Sequence, residues 1–238
     1  MTAARTSSAW LLLALAAPFA MQVAPAATAP PEPLSHALAT ADVAQVTTIA
    51  LAAYTAGDLE EAERLFLEAA AAGDALAAYN AAVIRLNEER MIQSEQAALA
   101  LLQQSAQSGF SPAQHMLATL HDQGRLMPQS QTLALKWYQL AAEQGDAAAQ
   151  LAVATQYYLG RGTTRDYQEA ARWYDKAAQA GDAAAQYILA SMYEKGIGLA
   201  LDLDQALSWY AAAARQGDVV ADLKAREVVE LLAQQRRQ

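Results

Sequence analysis

The chain contains no cysteine, and this absence removes several kinds of chemistry at once. Without cysteine there can be no disulfide, no thiolate nucleophile and no cysteine-ligated metal. Basic residues are also scarce, since 16 Lys and Arg stand against 25 Asp and Glu and leave a net charge of −9. An acidic chain has little electrostatic attraction for nucleic acid or for an anionic membrane surface.

Sequence motifs for catalysis and metal binding are missing as well. The chain has three histidines and no H-E-x-x-H, G-x-S-x-G or S-x-x-K. His115 and His121 are six residues apart and would point in different directions from a helix. His115 with Asp122 would supply only two metal ligands. We therefore expect no catalytic residue, no cofactor and no metal site.

Charge is absent from a long stretch near the N-terminus, between Arg5 and Glu32. The apolar run 9–24 lies in this stretch and is interrupted by Pro18. Its short length and small-residue end are typical of a secretory signal peptide more than of a membrane span. We predict cleavage after Ala26.

Residues 1–26 are accordingly predicted to be a signal peptide, and residues 27–40 an Ala/Pro-rich linker. The processed protein would be periplasmic or secreted, with no membrane span after cleavage. The alternative is an uncleaved segment that anchors the protein to the inner membrane, facing the periplasm.

Glycine is sparse but regularly placed. Five of the 11 glycines are 36 residues apart, and Asp follows four of them: Gly73, Gly109, Gly145, Gly181 and Gly217. Glycine after a helix can adopt the left-handed conformation that closes the last turn, and Asp can then cap the next helix. The spacing predicts tight turns between antiparallel helices.

Aromatic residues follow the same spacing. Trp137, Trp173 and Trp209 are each followed by tyrosine, and paired alanines lie four and five residues after each tryptophan. In the best-defined copy, residues 147–160 predict a first helix and residues 166–181 a second. Alanine lets helix backbones approach closely, so the Trp and Tyr rings are expected to fill the core between neighbouring copies.

The repeated pattern is A-x-x-x-[LV]-A-x-x-Y-x-x-G-x-G, then A-x-x-W-Y-x-x-A-A-x-x-G-D. It resembles the Sel1-like repeat (SLR), a member of the tetratricopeptide superfamily. Copies 147–182 and 183–218 match closely, copy 111–146 has His121 in a tyrosine position, and copy 75–110 is degenerate. The first copy, 43–74, is similar to an ordinary tetratricopeptide repeat.

The resemblance implies an all-α fold, an α/α solenoid in which antiparallel helix pairs form a right-handed superhelix over residues 41–238. Residues 219–235 predict a C-terminal capping helix that covers the last repeat. The residues expected to face that repeat are Val220, Leu223, Val228 and Leu231.

The resemblance further implies a non-catalytic scaffold of the bacterial cell envelope that binds a protein or peptide segment in a concave groove. The negative charge of the chain excludes nucleic acid as an expected partner. Register places a stripe of candidate binding residues on the first helices: Tyr79, Val83, Leu86, His115, Thr119, Asp122, Leu151, Thr155, Tyr158, Tyr187, Ser191 and Glu194. Each of these could instead pack against the next first helix.

Two other functions stay open at this stage. Some secreted, cysteine-rich relatives bind or hydrolyse penicillin, but their repeats carry cysteine pairs that this chain lacks. A glycan-binding envelope protein is the second alternative, with sugars stacked on Tyr158 and Tyr187.

Overall fold

A computed structural model describes residues 42–87 and 92–237. The predicted signal peptide, 1–26, and the predicted linker, 27–40, lie outside these ranges. Within them the protein is all-α, as predicted, and no strand occurs. The described helices are α1 (Val43–Thr55), α2 (Leu59–Ala71), α3 (Ala75–Asn87), α4 (Ile92–Gln107), α5 (Ser111–Gln123), α6 (Gln131–Glu143), α7 (Ala147–Leu159), α8 (Tyr167–Gln179), α9 (Ala183–Lys195), α10 (Leu203–Arg215) and α11 (Val219–Gln235).

The chain divides into two compact bodies between Ser105 and Ala106. In the N-terminal body α1 packs on α2 and α2 on α3. In the C-terminal body each helix from α5 to α11 packs on the next. Each body is therefore a stack of helical hairpins, as an SLR solenoid requires. We call α5, α7 and α9 the first helices and α6, α8 and α10 the second helices.

The predicted Gly-Asp turns are present. Gly145 and Gly181 have φ values of 90° and 94°, the left-handed region that glycine enters without steric cost. Asp146 accepts the Ala149 N–H at 2.9 Å, and Asp182 accepts the Ala185 N–H at 2.7 Å. Each turn thus ends one helix and caps the next within two residues.

The core of the C-terminal body is built from alanine and tyrosine. Ala170 and Ala177 are fully buried, and the side chains of Tyr174 and Tyr210 are 2% and 0% exposed. The tyrosines fill space that the small alanines leave between helices. Trp173 is 7% exposed and belongs to this core, and Trp137 and Trp209 are half-buried and pack against it.

Each first helix carries a buried glutamine whose amide bonds to a backbone carbonyl eight residues earlier in the chain. Gln114, Gln150 and Gln186 each donate from Nε2 to an alanine carbonyl, all at 3.1 Å. The side-chain oxygen of Gln114 accepts from Gln144 at 2.7 Å, and that of Gln186 accepts from Gln216 at 2.9 Å. The matching oxygen of Gln150 has no hydrogen-bond partner among the described residues.

A single residue explains why the Gln150 side-chain oxygen lacks the hydrogen bond that Gln114 and Gln186 accept. Position 180, which is 36 residues after Gln144 and before Gln216, holds alanine. We expect Ala180→Gln to stabilise the protein by about 1 kcal/mol, because the new amide can donate to the buried Gln150 oxygen. Urea denaturation measures the gain, and Gln216→Ala, which breaks the equivalent bond, should cost a similar amount. An unchanged midpoint for Ala180→Gln would contradict this assignment.

The capping helix α11 exists, but three of its four predicted contacts are wrong. Val228 is fully buried, whereas Val220, Leu223 and Leu231 are 54%, 54% and 42% exposed. Ala221, Ala225 and Leu232 pack on the last repeat instead. Ala221, Ala225 and Val228 stand 36 residues after Ala185, Leu189 and Met192, which are buried in α9. The repeat register therefore decides which face of α11 is buried.

Candidate functional site

Nine of the predicted binding residues form a repeated row in the C-terminal body, here called the first-helix row. All nine are half-buried: His115, Thr119 and Asp122 on α5, Leu151, Thr155 and Tyr158 on α7, and Tyr187, Ser191 and Glu194 on α9. In the N-terminal body Leu86 is half-buried, but Tyr79 and Val83 are only 7% and 6% exposed. Those two side chains belong to the core and are not available to a partner.

Hydroxyl pairs link the first-helix row to the second helices. The Thr119 and Tyr138 oxygens are 3.1 Å apart, and the Thr155 and Tyr174 oxygens are 3.2 Å apart. Both threonines already donate their only hydroxyl proton to a backbone carbonyl one turn earlier. Each tyrosine must therefore be the donor in its pair. Burial raises the pKa of Tyr138 and of Tyr174, which keeps both hydroxyls protonated.

In the last repeat Ser191 holds the threonine position, and a carboxylate joins it as a hydrogen-bond partner of the tyrosine. The Tyr210 hydroxyl donates to Glu194 Oε2 at 2.7 Å. Burial and the nearby negative charge of Glu194 together raise the pKa of Tyr210 strongly. A hydrogen bond to an ionised acceptor is stronger than one between neutral groups, so the last tyrosine is held most firmly.

Two residues of the row reach the next repeat. His115 Nδ1 is 3.0 Å from Asp146 Oδ2, and the Asp122 carboxylate accepts from Gln156 Nε2 at 3.1 Å. Burial alone would raise the pKa of Asp146, but hydrogen bonds from His115 and from the Ala149 N–H outweigh it and lower that pKa. These contacts join α5 to the α7 repeat, and they leave less of both side chains for a ligand.

Among the described residues, no group of three or more His, Asp or Glu side chains lies close enough together to hold a metal ion. His115 pairs with Asp146 and not with Asp122. His121 is half-buried; burial lowers its pKa, partly offset by a hydrogen bond with the Pro128 carbonyl. It therefore acts as a packing residue in the position that tyrosine holds in the last two repeats.

Neighbouring rings already contact the two tyrosines of the row. Tyr158 meets the rings of Tyr167 and Tyr174 edge to face, with centroids 5.1 and 6.4 Å away. Tyr187 meets Tyr210 in the same manner at 5.4 Å. Part of each ring is thus used within the protein, which reduces the aromatic surface left for stacking on a ligand.

The sequence reasoning missed the role of the second-helix tyrosines, which it assigned to packing alone. A signal was present, because Thr or Ser occurs 19 residues before each of Tyr138, Tyr174 and Tyr210. In the degenerate repeat both members change together, to Val83 and Leu102. Loss of one hydroxyl without the other would leave a buried polar group unpaired.

None of the described helices is both long and apolar enough to cross a lipid bilayer. The sequence model of the Sel1 repeat family matches residues 53–74, 75–110, 111–146, 147–182 and 183–218. No curated protein matches the chain.

The chain is similar to several solved structures, of which two are described here. A Sel1 repeat protein from Oxalobacter formigenes is 30% identical, with a TM-score of 0.66, over 76% of this chain and 75% of that one. The protein c5321, a protective antigen present in uropathogenic Escherichia coli strains and displaying an SLR fold, is 28% identical, with a TM-score of 0.73. The match covers 82% of this chain but only 42% of c5321. With repeats matched over more than half of its length, the chain belongs to the Sel1 repeat family.

Proposed function

We propose that the protein is a non-catalytic protein–protein interaction scaffold of the bacterial cell envelope. Proteins of the Sel1 repeat family generally serve as interaction scaffolds and are typically non-catalytic. The observation that supports a binding role here is the repetition of one half-exposed row on α5, α7 and α9. A partner segment lying across these helices would meet equivalent positions at regular intervals.

The hydrogen bonds behind the row explain why such a surface would bind well. Thr119 and Thr155 are fixed by tyrosines of the second helices, and Glu194 is fixed by Tyr210. Side chains that are already ordered lose little conformational entropy when a partner arrives. The row would therefore act as a preorganised platform.

Two features favour a location outside the cytoplasm. The N-terminal apolar run has the length and flanking residues of a signal peptide. The E. coli relative is described as a protective antigen, a role that fits a protein exposed outside the cytoplasm. Processing near Ala26 would release the protein into the periplasm or the medium, and failure of cleavage would leave it anchored to the inner membrane.

Affinity capture from an envelope extract tests the proposal. The double variant Ala148→Arg/Ala184→Arg places two bulky cations on exposed positions of α7 and α9, beside the first-helix row. The matched control, Leu133→Arg/Leu140→Arg, changes two exposed residues of α6. We expect the first variant to lose the captured partner, with at least roughly a tenfold drop in affinity, and the control to keep it.

One result would overturn the assignment of the binding surface to the first helices. If both variants retain the partner equally, binding does not use these helices. A labelled β-lactam that forms an adduct with the purified protein would revive the penicillin-binding alternative. Glycan binding that is lost on Tyr158→Ala and Tyr187→Ala would favour the envelope-glycan alternative.

A further inference from the structure

Position 121 carries histidine where the next two repeats carry tyrosine, at Tyr157 and Tyr193. A tyrosine side chain stays neutral at neutral and acidic pH, whereas histidine, with an ordinary pKa of about 6.5, takes up a proton in that range. The repeat 111–146 therefore holds a titratable group at a position that is uncharged in the two repeats after it.

The backbone at this position closes the loop between the first and second helix of each repeat. The Ser130 N–H donates to the His121 carbonyl at 2.9 Å, and the Asp166 and Asp202 N–H groups make the same bond in the next two repeats at 3.0 Å. Because these backbone bonds are equivalent, a difference in stability between the three loops must come from their other contacts.

Loop 124–130, which follows His121, holds backbone strain that the two later loops avoid. Leu126 has φ 65°, whereas the equivalent residues of the next two repeats are Gly162 and Gly198, with φ values of 70° and 69°. A leucine in this left-handed region carries a steric cost that glycine does not. Loop 124–130 therefore depends more on its remaining contacts to stay closed.

Two side-chain contacts hold this loop on α5. Gln129 Nε2 donates to the Asp122 carbonyl at 2.7 Å, and the His121 ring forms a hydrogen bond with the Pro128 carbonyl. A carbonyl only accepts, so the ring nitrogen that faces it must carry a proton. His121 Nδ1 is buried and has no hydrogen-bond partner in the described part of the chain, so the proton of the neutral ring lies on Nε2.

Protonation of His121 would place a second N–H, together with a positive charge, at the buried Nδ1. A buried donor without an acceptor and a charge removed from water both carry a free-energy cost. His115 on the same helix is the opposite case, because its Nδ1 lies 3.0 Å from the Asp146 carboxylate. A proton therefore finds an acceptor at His115 and none at His121.

Among the described residues, no ionised group stabilises a charge on His121, since its pKa is shifted by burial and by the loop carbonyl. The carboxylate of Asp122, the next residue, accepts a hydrogen bond from α7. On α6, which packs on α5, the Tyr138 hydroxyl is bonded within the first-helix row. Arg125 in the loop and Lys136 on α6 are exposed cations, which would repel a second positive charge.

We propose that His121 is an acid-sensitive switch, which holds loop 124–130 closed when it is neutral and releases the loop from α5 when it is protonated. This proposal goes beyond the scaffold function and does not depend on it. An open loop exposes the imidazole to water, where it binds a proton more readily than in the closed loop. The closed loop is therefore fully stable above about pH 6.5 and loses stability as the pH falls below that value.

Amide hydrogen exchange, measured by NMR at about pH 7.5 and about pH 5.5, tests the proposal. The protection factor compares each amide with an unfolded peptide at the same pH and reports how often its hydrogen bond opens. We expect the protection factor of the Ser130 amide to fall roughly three- to tenfold at the lower pH, about tenfold being the limit for one histidine. The Asp166 and Asp202 amides, in loops closed on tyrosine, should keep their protection factors.

Two substitutions separate the switch from a general effect of acid. His121→Tyr introduces the residue of the later repeats, His121→Gln introduces a neutral amide, and both variants keep His115. We expect the Ser130 protection factor of each folded variant to be the same at the two pH values, because no group at position 121 then titrates.

Three results would overturn the proposal. An unchanged Ser130 protection factor in the wild type would show that protonation does not open the loop. An equal fall at the Ser130, Asp166 and Asp202 amides would mean that acid loosens all three loops without a special role for His121. A fall at Ser130 that persists in either folded variant would assign the pH dependence to another group.

Discussion

Gly198→Ala is expected to destabilise the protein by about 3 kcal/mol, the larger part of which comes from a direct overlap. Gly198 has φ 69°, and a methyl group at this position would collide with the carbonyl oxygen of Tyr167. Tyr167 is the first residue of α8, so the loop of the last repeat lies directly on the helix of the preceding one. Gly162 has the same relation to Gln131 at the start of α6 and should respond similarly.

Gly181→Ala is the matched control. Its φ is 94°, but nothing lies within 4 Å of the position that a methyl group would occupy. Only the cost of a left-handed alanine remains, about 1 kcal/mol. Urea denaturation of the three variants gives the comparison directly. If Gly181→Ala costs as much as Gly198→Ala, the loops do not hold neighbouring repeats in the close contact described above.

Tyr174→Ala is expected to cost about 4 kcal/mol, because it removes a ring that is 2% exposed and leaves a cavity. Tyr174→Phe keeps the ring and loses only the hydrogen bond to Thr155, for which we expect about 1 kcal/mol. The two variants separate the packing of the tyrosine from its hydroxyl. Urea denaturation monitored by circular dichroism measures both.

A double-mutant cycle isolates the hydroxyl pair. Thr155→Val should cost about 1 kcal/mol alone but little more in a protein that already carries Tyr174→Phe, because the bond is then already lost. The degenerate repeat, with Val83 and Leu102 at these two positions, shows that the chain itself tolerates the paired apolar version. Additive losses would mean that the two hydroxyls act independently.

The repeat architecture could be predicted because it depends on periodic features. The glycine spacing predicts where the helices end, and the Asp after most of these glycines predicts the cap of the next helix. The 36-residue period indicates the family. The same register, applied to α11, places Ala221 in the core beside Val228, which was predicted. Side-chain size favoured Val220, Leu223 and Leu231 instead, and the structure exposes all three. Alanine marks the buried face here because helices approach closely at small residues.

The candidate site was predicted less completely, since it depends on which atoms meet. Register alone could select His115 and Asp122, but it could not pair one with Asp146 and the other with Gln156. It also could not show that Tyr79 and Val83 are buried in the N-terminal body. The sequence pattern cannot show which hydrogen-bond partner a following repeat supplies, or how two repeats with the same pattern differ in burial. Both depend on three-dimensional contacts.

Hydroxyl-radical footprinting of the complex with the captured partner tests the central claim most directly. This measurement reports the solvent access of individual side chains, and half-buried tyrosines and exposed leucines are suitable reporters. We predict that Tyr158 and Tyr187 lose reactivity in the complex, while Leu133 and Leu140 of α6 keep theirs. Protection of the two α6 leucines with unchanged reactivity on α7 and α9 would contradict a partner bound on the first helices.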